Sequence, residues 1–120
     1  MIFTVNYTVY PFDLMIFVNE PYKNIKKTLK KRLPIDFETK KRIKELKGEF
    51  EARTVMFPGR QTCIVFKSTK HNVIVHEVFH AVEFLFRSID IPLTLESGEA
   101  YAYLIGYITD EIYKKIGNEN

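Results

Sequence analysis

The sequence has a single cysteine, Cys63, among its 120 residues, which excludes an intramolecular disulfide framework. One cysteine fits a reducing compartment, so we expect a cytoplasmic protein. The sequence also lacks the run of about 18 apolar residues that a membrane-spanning helix needs, and no membrane association is predicted. The first 21 residues lack the basic region and cleavage site of a secretory signal, and we interpret them as strands.

No internal repeat, low-complexity tract or linker divides the chain, and 46% of its residues are apolar, so a single domain over residues 1–120 is predicted. The net charge of +3 is unevenly distributed. Residues 23–47 contain eleven Lys or Arg and three Asp or Glu, a net +8, which leaves −5 for the rest. This basic segment is either an electrostatic footprint for nucleic acid or an acidic partner, or the solvated face of two surface helices.

The hydrophobic pattern predicts an α+β fold, with a small twisted antiparallel or mixed sheet packed against helices. The strands come from the N-terminal region and from a hairpin around "PGRQ". Two short amphipathic helices follow the N-terminal strands, the second with Asp36 as N-cap. Two long helices end the chain, the last of them apolar nearly all round. Residues 1–10 and 14–18 are predicted to form two strands or one interrupted strand, and residues 53–57 and 62–67 form the hairpin. The long helices begin after Ser68 or Thr69 and at about Ser97.

The first long helix carries "HEVFH", which is an H-E-x-x-H motif formed by His76, Glu77 and His80. Residues four apart lie one turn above the other on the same face of a helix, so both imidazoles can converge on one point. In this arrangement two histidines hold a zinc ion and the glutamate stands beside the metal-bound water. The alternative is an ordinary pair of histidines with a solvated glutamate.

A catalytic zinc site needs a third protein ligand, and "ESGEAYAYLIGY" offers Glu96 and Glu99. Glu99 is preferred because it lies in the first turn of the last helix, on a face that also contains Gly106. Glycine is costly in the middle of a helix, and we expect it to permit close approach of the histidine helix. Glu96 remains an alternative ligand, and Glu99 has a structural alternative as a favourable anion at a helix N-terminus.

His76, Glu77, His80 and a glutamate about twenty residues later resemble the gluzincin branch of the zincin metallopeptidases. The frame "HEVFHAVEF…SGEAYAYLIGYIT" also resembles small phage-encoded proteins with a compact zincin-like fold, over about residues 53–116. The resemblance implies a minimal zincin-like metallopeptidase fold, Zn²⁺ held by His76, His80 and Glu99, and Glu77 as general base. It also implies a peptide or protein substrate and, for a phage-encoded protein, the host cell cytoplasm.

The predicted reaction is hydrolysis of an amide by a zinc-activated water, with Glu77 accepting its proton. A tyrosine hydroxyl on the last helix would stabilise the tetrahedral intermediate, and Tyr103 is the candidate we select, with Tyr101 and Tyr107 as alternatives. In gluzincins the residue at the position of Tyr103 is often an acid that orients a histidine, so the orienting partner is unidentified. Residues 62–67 are expected to form an edge strand on which an extended peptide can pair.

Two other classes of function are retained. The first is a zincin-like protein that binds zinc and a partner without hydrolysis, for which Glu77 is dispensable. The second is a nucleic-acid-binding module that uses the basic residues 23–47, with the histidines incidental and binding that weakens steeply with salt. The sequence gives neither the natural substrate nor the oligomeric state.

Overall fold

The computed structural model describes residues 1–7, 10 and 12–117, which form four strands and four α-helices. A short 3₁₀ turn at Pro58–Arg60 closes the hairpin between the third and fourth strands. The elements in chain order are β1 (Ile2–Asn6), β2 (Asp13–Val18), α1 (Tyr22–Arg32), α2 (Phe37–Lys44), β3 (Ala52–Met56), β4 (Thr62–Phe66), α3 (His71–Ser88) and α4 (Gly98–Ile116).

The strands form one mixed sheet in the order β1-β2-β4-β3. β1 is antiparallel to β2, β3 is antiparallel to β4, and the two central strands β2 and β4 are parallel, with Ile16 opposite Ile64. A parallel pair needs a crossover connection, which α1, α2 and β3 provide here. The central strands are buried on both faces, which explains their nearly continuous apolar sequences "DLMIFV" and "TCIVF".

Side chains of the central strands alternate between two hydrophobic cores because successive residues of a strand point to opposite faces. Leu14, Ile16 and Ile64 face α3 and α4, whereas Phe17 and Cys63 face α1 and α2. The molecule therefore has three layers, with a helical pair on each side of the sheet. Burial raises the pKa of the Cys63 thiol to about 12, so this cysteine is a structural hydrophobe.

α1 and α2 pack on the sheet through a few apolar residues each, chiefly Ile25, Leu29 and Ile43. Asp36 caps α2, since its Oδ1 accepts a 2.7 Å hydrogen bond from the Thr39 amide, and this bond lowers the pKa of the Asp36 carboxyl. The remaining helical surface is exposed and basic.

α3 and α4 pack against each other in antiparallel orientation on the other face of the sheet. His71 at the start of α3 stacks on Tyr113 near the end of α4, and its Nδ1 lies 2.7 Å from the tyrosine hydroxyl. Phe86 near the end of α3 contacts Tyr101 near the start of α4, with ring centroids 4.7 Å apart. The start of each helix is therefore level with the end of the other.

The α+β class, the mixed sheet, the hairpin and all four predicted helices are confirmed. The first strand was expected to reach residue 10 but ends at Asn6, and residues 8 and 9 lie outside the described ones. The zincin-like version of this fold stays a prediction. None of the helices in the described part of the chain combines the length and the apolarity that crossing a membrane requires.

Two details of the predicted fold are wrong. Residues 62–67 do not form an edge strand, because β4 pairs with β2 on one side and with β3 on the other, and the edge beside the histidine helix is β3. α4 is not enclosed on all sides as its nearly all-round apolar sequence predicted, since it buries one stripe and exposes the opposite face. The buried residues of α4 are Tyr101, Leu104, Ile108 and Ile112.

Gly106 lies on the exposed face of α4, and a methyl group built there meets no atom within 4 Å. Close approach of the histidine helix therefore does not explain this glycine. We predict that Gly106→Ala raises the free energy of unfolding by about 1 kcal/mol, because alanine loses less backbone entropy in a helix. Urea denaturation measures the change, with the exposed Ala102→Gly as the reverse control. A stability loss in Gly106→Ala would mean that another element covers this position.

Candidate metal centre

α3 presents two different faces to its surroundings. Its apolar residues pack on the sheet, while His76 and His80 lie on the outward side with side chains 66% and 38% exposed. At 3.6 residues per turn, the two histidines point about 140° and 180° around the helix from His71, which contacts α4. The histidine pair therefore faces solvent and not the neighbouring helix.

The two imidazoles converge as the motif predicts. The Nε2 atoms of His76 and His80 are 3.1 Å apart, with the rings edge to face at a centroid distance of 4.7 Å. Two nitrogens bound to one tetrahedral zinc at about 2.0–2.1 Å lie roughly 3.3 Å apart. The separation thus fits two ligands of one ion, provided that both rings carry their proton on Nδ1.

Glu77 lies between the histidine pair and the sheet. The residue is 8% exposed, and its Oε2 is 3.8 Å from the Nε2 of His76. Its other carboxylate oxygen, Oε1, accepts a 2.7 Å hydrogen bond from the hydroxyl of Thr54 on β3. The Thr54 hydroxyl also lies 3.2 Å from the Glu77 backbone oxygen. One carboxylate oxygen is thus anchored to the sheet, and the other stands beside the imidazoles.

The side chain of Glu83 is the nearest acid to the outer nitrogen of His80. Its Oε1 is 3.8 Å from His80 Nδ1, beyond hydrogen-bond length, and its Oε2 pairs with the Arg87 guanidinium at 3.2 Å. Phe84 stacks on the His80 ring at a centroid distance of 6.1 Å. Together these neighbours restrain the ring from the side away from His76.

The sequence interpretation missed Thr54 and Glu83. Glu83 had a signal, because it follows His80 by three residues and therefore lies on the same helical face. No sequence pattern indicated Thr54, since its contact with Glu77 depends on the placement of α3 over the edge of the sheet. Gluzincins often have an acid that orients a histidine at the position that Tyr103 occupies here. Glu83 is a candidate for that orienting role toward His80.

Glu99 is not brought to the histidine pair. It lies two residues before Tyr101, at the level of Phe86, and Phe86 is about 9 Å beyond His80 along the axis of α3. Glu99 and Glu96 are both exposed. Within residues 1–7, 10 and 12–117, no three His, Cys, Asp or Glu side chains lie close enough together to hold a metal. The structure therefore assembles two of the three predicted ligands.

The predicted catalytic tyrosine lies elsewhere on α4. Tyr103 is 79% exposed and lines an apolar depression of about 450 Å³ together with Tyr7, Phe86 and Tyr107. No hydrogen bond or ring contact joins Tyr103 to the histidines or to Glu77 in the described part of the chain. Of the alternatives, Tyr101 is buried and its hydroxyl donates to the Ile91 carbonyl at 2.7 Å.

A groove of about 430 Å³ runs beside the free edge of β3 and reaches Thr54, the residue that anchors Glu77. Its walls come from three elements: Arg42 and Glu45 from α2 and the turn after it, Arg53 to Met56 from β3, and Phe84 from α3. The groove therefore joins an unpaired strand edge to the environment of the H-E-x-x-H motif.

No protein-family model, curated protein or solved structure matches this chain. The geometry of the site carries the functional argument together with the motif.

We predict that Thr54→Val destabilises the protein by about 1.5–3 kcal/mol, because a buried carboxylate loses its hydrogen-bond donor. Thr54→Ser, which keeps the hydroxyl, is the matched control and should retain most of the stability. Urea denaturation of Thr54→Val, Glu77→Ala and the double variant gives the coupling energy. Strictly additive losses would show that the hydrogen bond contributes nothing.

Proposed function

We propose that His76 and His80 bind a zinc ion and that the protein is a zinc-dependent hydrolase of peptide or other amide bonds. The observation that carries this proposal is the convergence of the two Nε2 atoms at 3.1 Å, with a carboxylate oxygen of Glu77 3.8 Å from one of them. The gluzincin resemblance of the motif supports the same conclusion, as does the edge strand beside it.

Zinc, when bound, polarises a carbonyl group and lowers the pKa of water to about 7. Glu77 is the general base of the proposed reaction, taking a proton at Oε2 and passing it to the leaving amine. Thr54 fixes the opposite oxygen of the same carboxylate, so Glu77 keeps one orientation during proton transfer. His76 and His80 face solvent, which leaves room for substrate on the outer side of α3.

Glu99 is the third ligand that we propose, with Glu96 as its alternative. In the antiparallel packing of α3 and α4, the first turn of α4 is level with the end of α3 and not with its histidines. Coordination by Glu99 therefore requires this turn to move toward the middle of α3 and around that helix to its outward face, where the histidines lie. The connecting residues 92–96 are exposed, but Tyr101, two residues after Glu99, is buried against Phe86 and its hydroxyl donates to the Ile91 carbonyl. The movement has to break these contacts.

The proposed substrate is an extended peptide paired with the free edge of β3. An edge strand offers unpaired amide and carbonyl groups, and main-chain hydrogen bonds to it align a peptide with little dependence on side chains. The groove beside this edge supports the proposal, because it is lined by Thr54, whose hydroxyl donates to the Glu77 carboxylate.

A second candidate is a zinc-binding protein that holds a partner on the β3 edge without hydrolysis. The observation that favours it is the absence of a third ligand near the histidine pair among the described residues. Glu77 distinguishes the two candidates, because only hydrolysis requires a general base.

Zinc content tests the site directly. We expect one zinc per chain after zinc loading and dialysis, little in His80→Ala, less in Glu99→Ala, and an unchanged amount in Glu77→Gln. Glu96→Ala decides between the two candidate ligands, because both glutamates are exposed and lie three residues apart. A loss of zinc in Glu96→Ala and not in Glu99→Ala would assign the third position to Glu96. Elemental analysis and calorimetric titration measure the metal, and a quenched-fluorescence peptide library measures hydrolysis.

Each outcome of this panel has a definite meaning. Peptide hydrolysis by the wild type that is lost in Glu77→Gln, at full zinc content, supports the hydrolase. Zinc binding with no hydrolysis in either protein supports the partner-binding candidate. A wild type that takes up no zinc on titration refutes both.

Glu83→Gln tests whether this acid orients His80. The change removes the negative charge that faces Nδ1, and we expect zinc affinity to fall about 10- to 100-fold, as for other outer partners of histidine ligands. Glu111→Gln is the control, since Glu111 is a helical glutamate that pairs with a lysine on α4. Competition with a fluorescent chelator measures the zinc affinity. An unchanged affinity in Glu83→Gln would show that Glu83 does not orient His80 and pairs only with Arg87.

A further inference from the structure

The opposite face of the molecule has a concentration of positive charge that the proposed hydrolase does not use. A depression of about 520 Å³ lies between α1 and α2, with Tyr22 and Ile43 among its lining residues. Five lysines line it: Lys26 and Lys30 from α1, and Lys40, Lys44 and Lys47 from α2 and the turn that follows. We call this depression the lysine groove.

Within the described part of the chain, the lysine groove has no compensating negative charge in its lining. No acidic side chain lines it, and α1 contains six Lys or Arg and no Asp or Glu. The salt bridges formed within residues 23–47 all involve Arg42, which pairs with Glu38 and Glu45. None of the five lysines makes a salt bridge or a hydrogen bond through its side chain among the described residues, and all five residues are exposed.

The fold does not require this arrangement. α1 and α2 attach to the sheet through Ile25, Leu29 and Ile43, while the lysines contribute charge alone. Lys26 and Lys30 are four apart on one helix, as are Lys40 and Lys44 on the other, and like charges at this spacing destabilise a helix. A bound anion would relieve the repulsion within each helix and between the two.

The chemistry of the groove indicates a polyanion with phosphate groups. Lysine is a compact point charge on a flexible stem and binds phosphate without the planar, bidentate geometry by which arginine recognises carboxylates. The groove contains no arginine, and its one aromatic residue, Tyr22, is half-buried and offers a ring for stacking. Lysines that follow a groove beside an aromatic side chain are typical of surfaces that bind a single nucleic-acid strand.

We propose that the lysine groove binds single-stranded nucleic acid through its phosphate backbone, with little dependence on base sequence. Tyr22 beside the lysines favours a single strand over a duplex, because unpaired bases can stack on an aromatic ring. This site lies across the sheet from the histidine pair, because α1 and α2 cover one face and α3 covers the other. It does not rest on the proposed zinc chemistry.

Fluorescence anisotropy with a labelled 15-nucleotide oligothymidylate tests the proposal on the full chain. For five phosphate contacts on a single strand, the logarithm of the association constant should fall with a slope of about −3.5 against the logarithm of salt concentration. Affinity should therefore fall on the order of 100-fold between 50 and 200 mM salt. The triple variant Lys30→Gln, Lys40→Gln, Lys44→Gln should reduce that slope by about 2.

A matched variant separates the lysine groove from net charge. This second triple variant carries Lys70→Gln, Lys114→Gln and Lys115→Gln, which remove the same charge from exposed positions outside the groove. It should bind the oligonucleotide as the wild type does. Thermal unfolding checks that both triple variants are folded. The double variant with His76→Ala and His80→Ala should bind the oligonucleotide with the affinity of the wild type. Three outcomes would overturn the proposal. They are equal losses of affinity in the two triple variants, tighter binding of a 15-base-pair duplex than of the single strand, and no oligonucleotide binding at 50 mM salt.

Discussion

Burial of both faces of the two central strands is the constraint on which the rest of the structure depends. β2 and β4 have almost no polar side chains, and each fully buried Leu, Ile, Val or Phe stabilises the fold by about 1.5–3 kcal/mol. A sheet with such strands at its centre is stable only with a helical layer on each side. Neither α1, with 11 residues, nor α2, with 8, is long enough to be stable by itself. Their helicity therefore depends on the same burial.

The two helical layers leave outward faces with opposite characters. α1 and α2 use their apolar residues against the sheet and expose lysines, whereas α3 exposes two histidines above a buried glutamate. Burying Glu77 would cost several kcal/mol if the carboxylate had no partner. The hydroxyl of Thr54 offsets part of that cost, and it can do so only because α3 lies over the β3 edge of the sheet. The position of Glu77 is thus a consequence of sheet order.

Local sequence patterns predicted the features that depend only on residues close together in the chain. Helical periodicity, the Asp36 cap and the "PGRQ" turn indicated elements that the structure contains, and the four-residue spacing indicated the convergence of His76 and His80. Strand order could not be predicted in the same way, because the apolar run of β4 fits either an edge or a central strand until β2 is placed beside it. The contact between Thr54 and Glu77 could not be predicted from the sequence for the same reason. Nor could the position of Glu99 relative to the histidines of α3. Each depends on the packing of distant segments.

The sheet also determines how the two proposed sites can influence each other. The lysine groove and the histidine pair lie on opposite faces of the sheet, whose central strands are packed on both sides. Coupling between sites requires an element with two states that both sites bias. α2 borders both the lysine groove, through Lys40 and Lys44, and the groove beside β3, through Arg42. Coupling between the proposed nucleic-acid and peptide sites would therefore run through α2, whereas the sheet separates the histidine pair on α3 from the lysine groove.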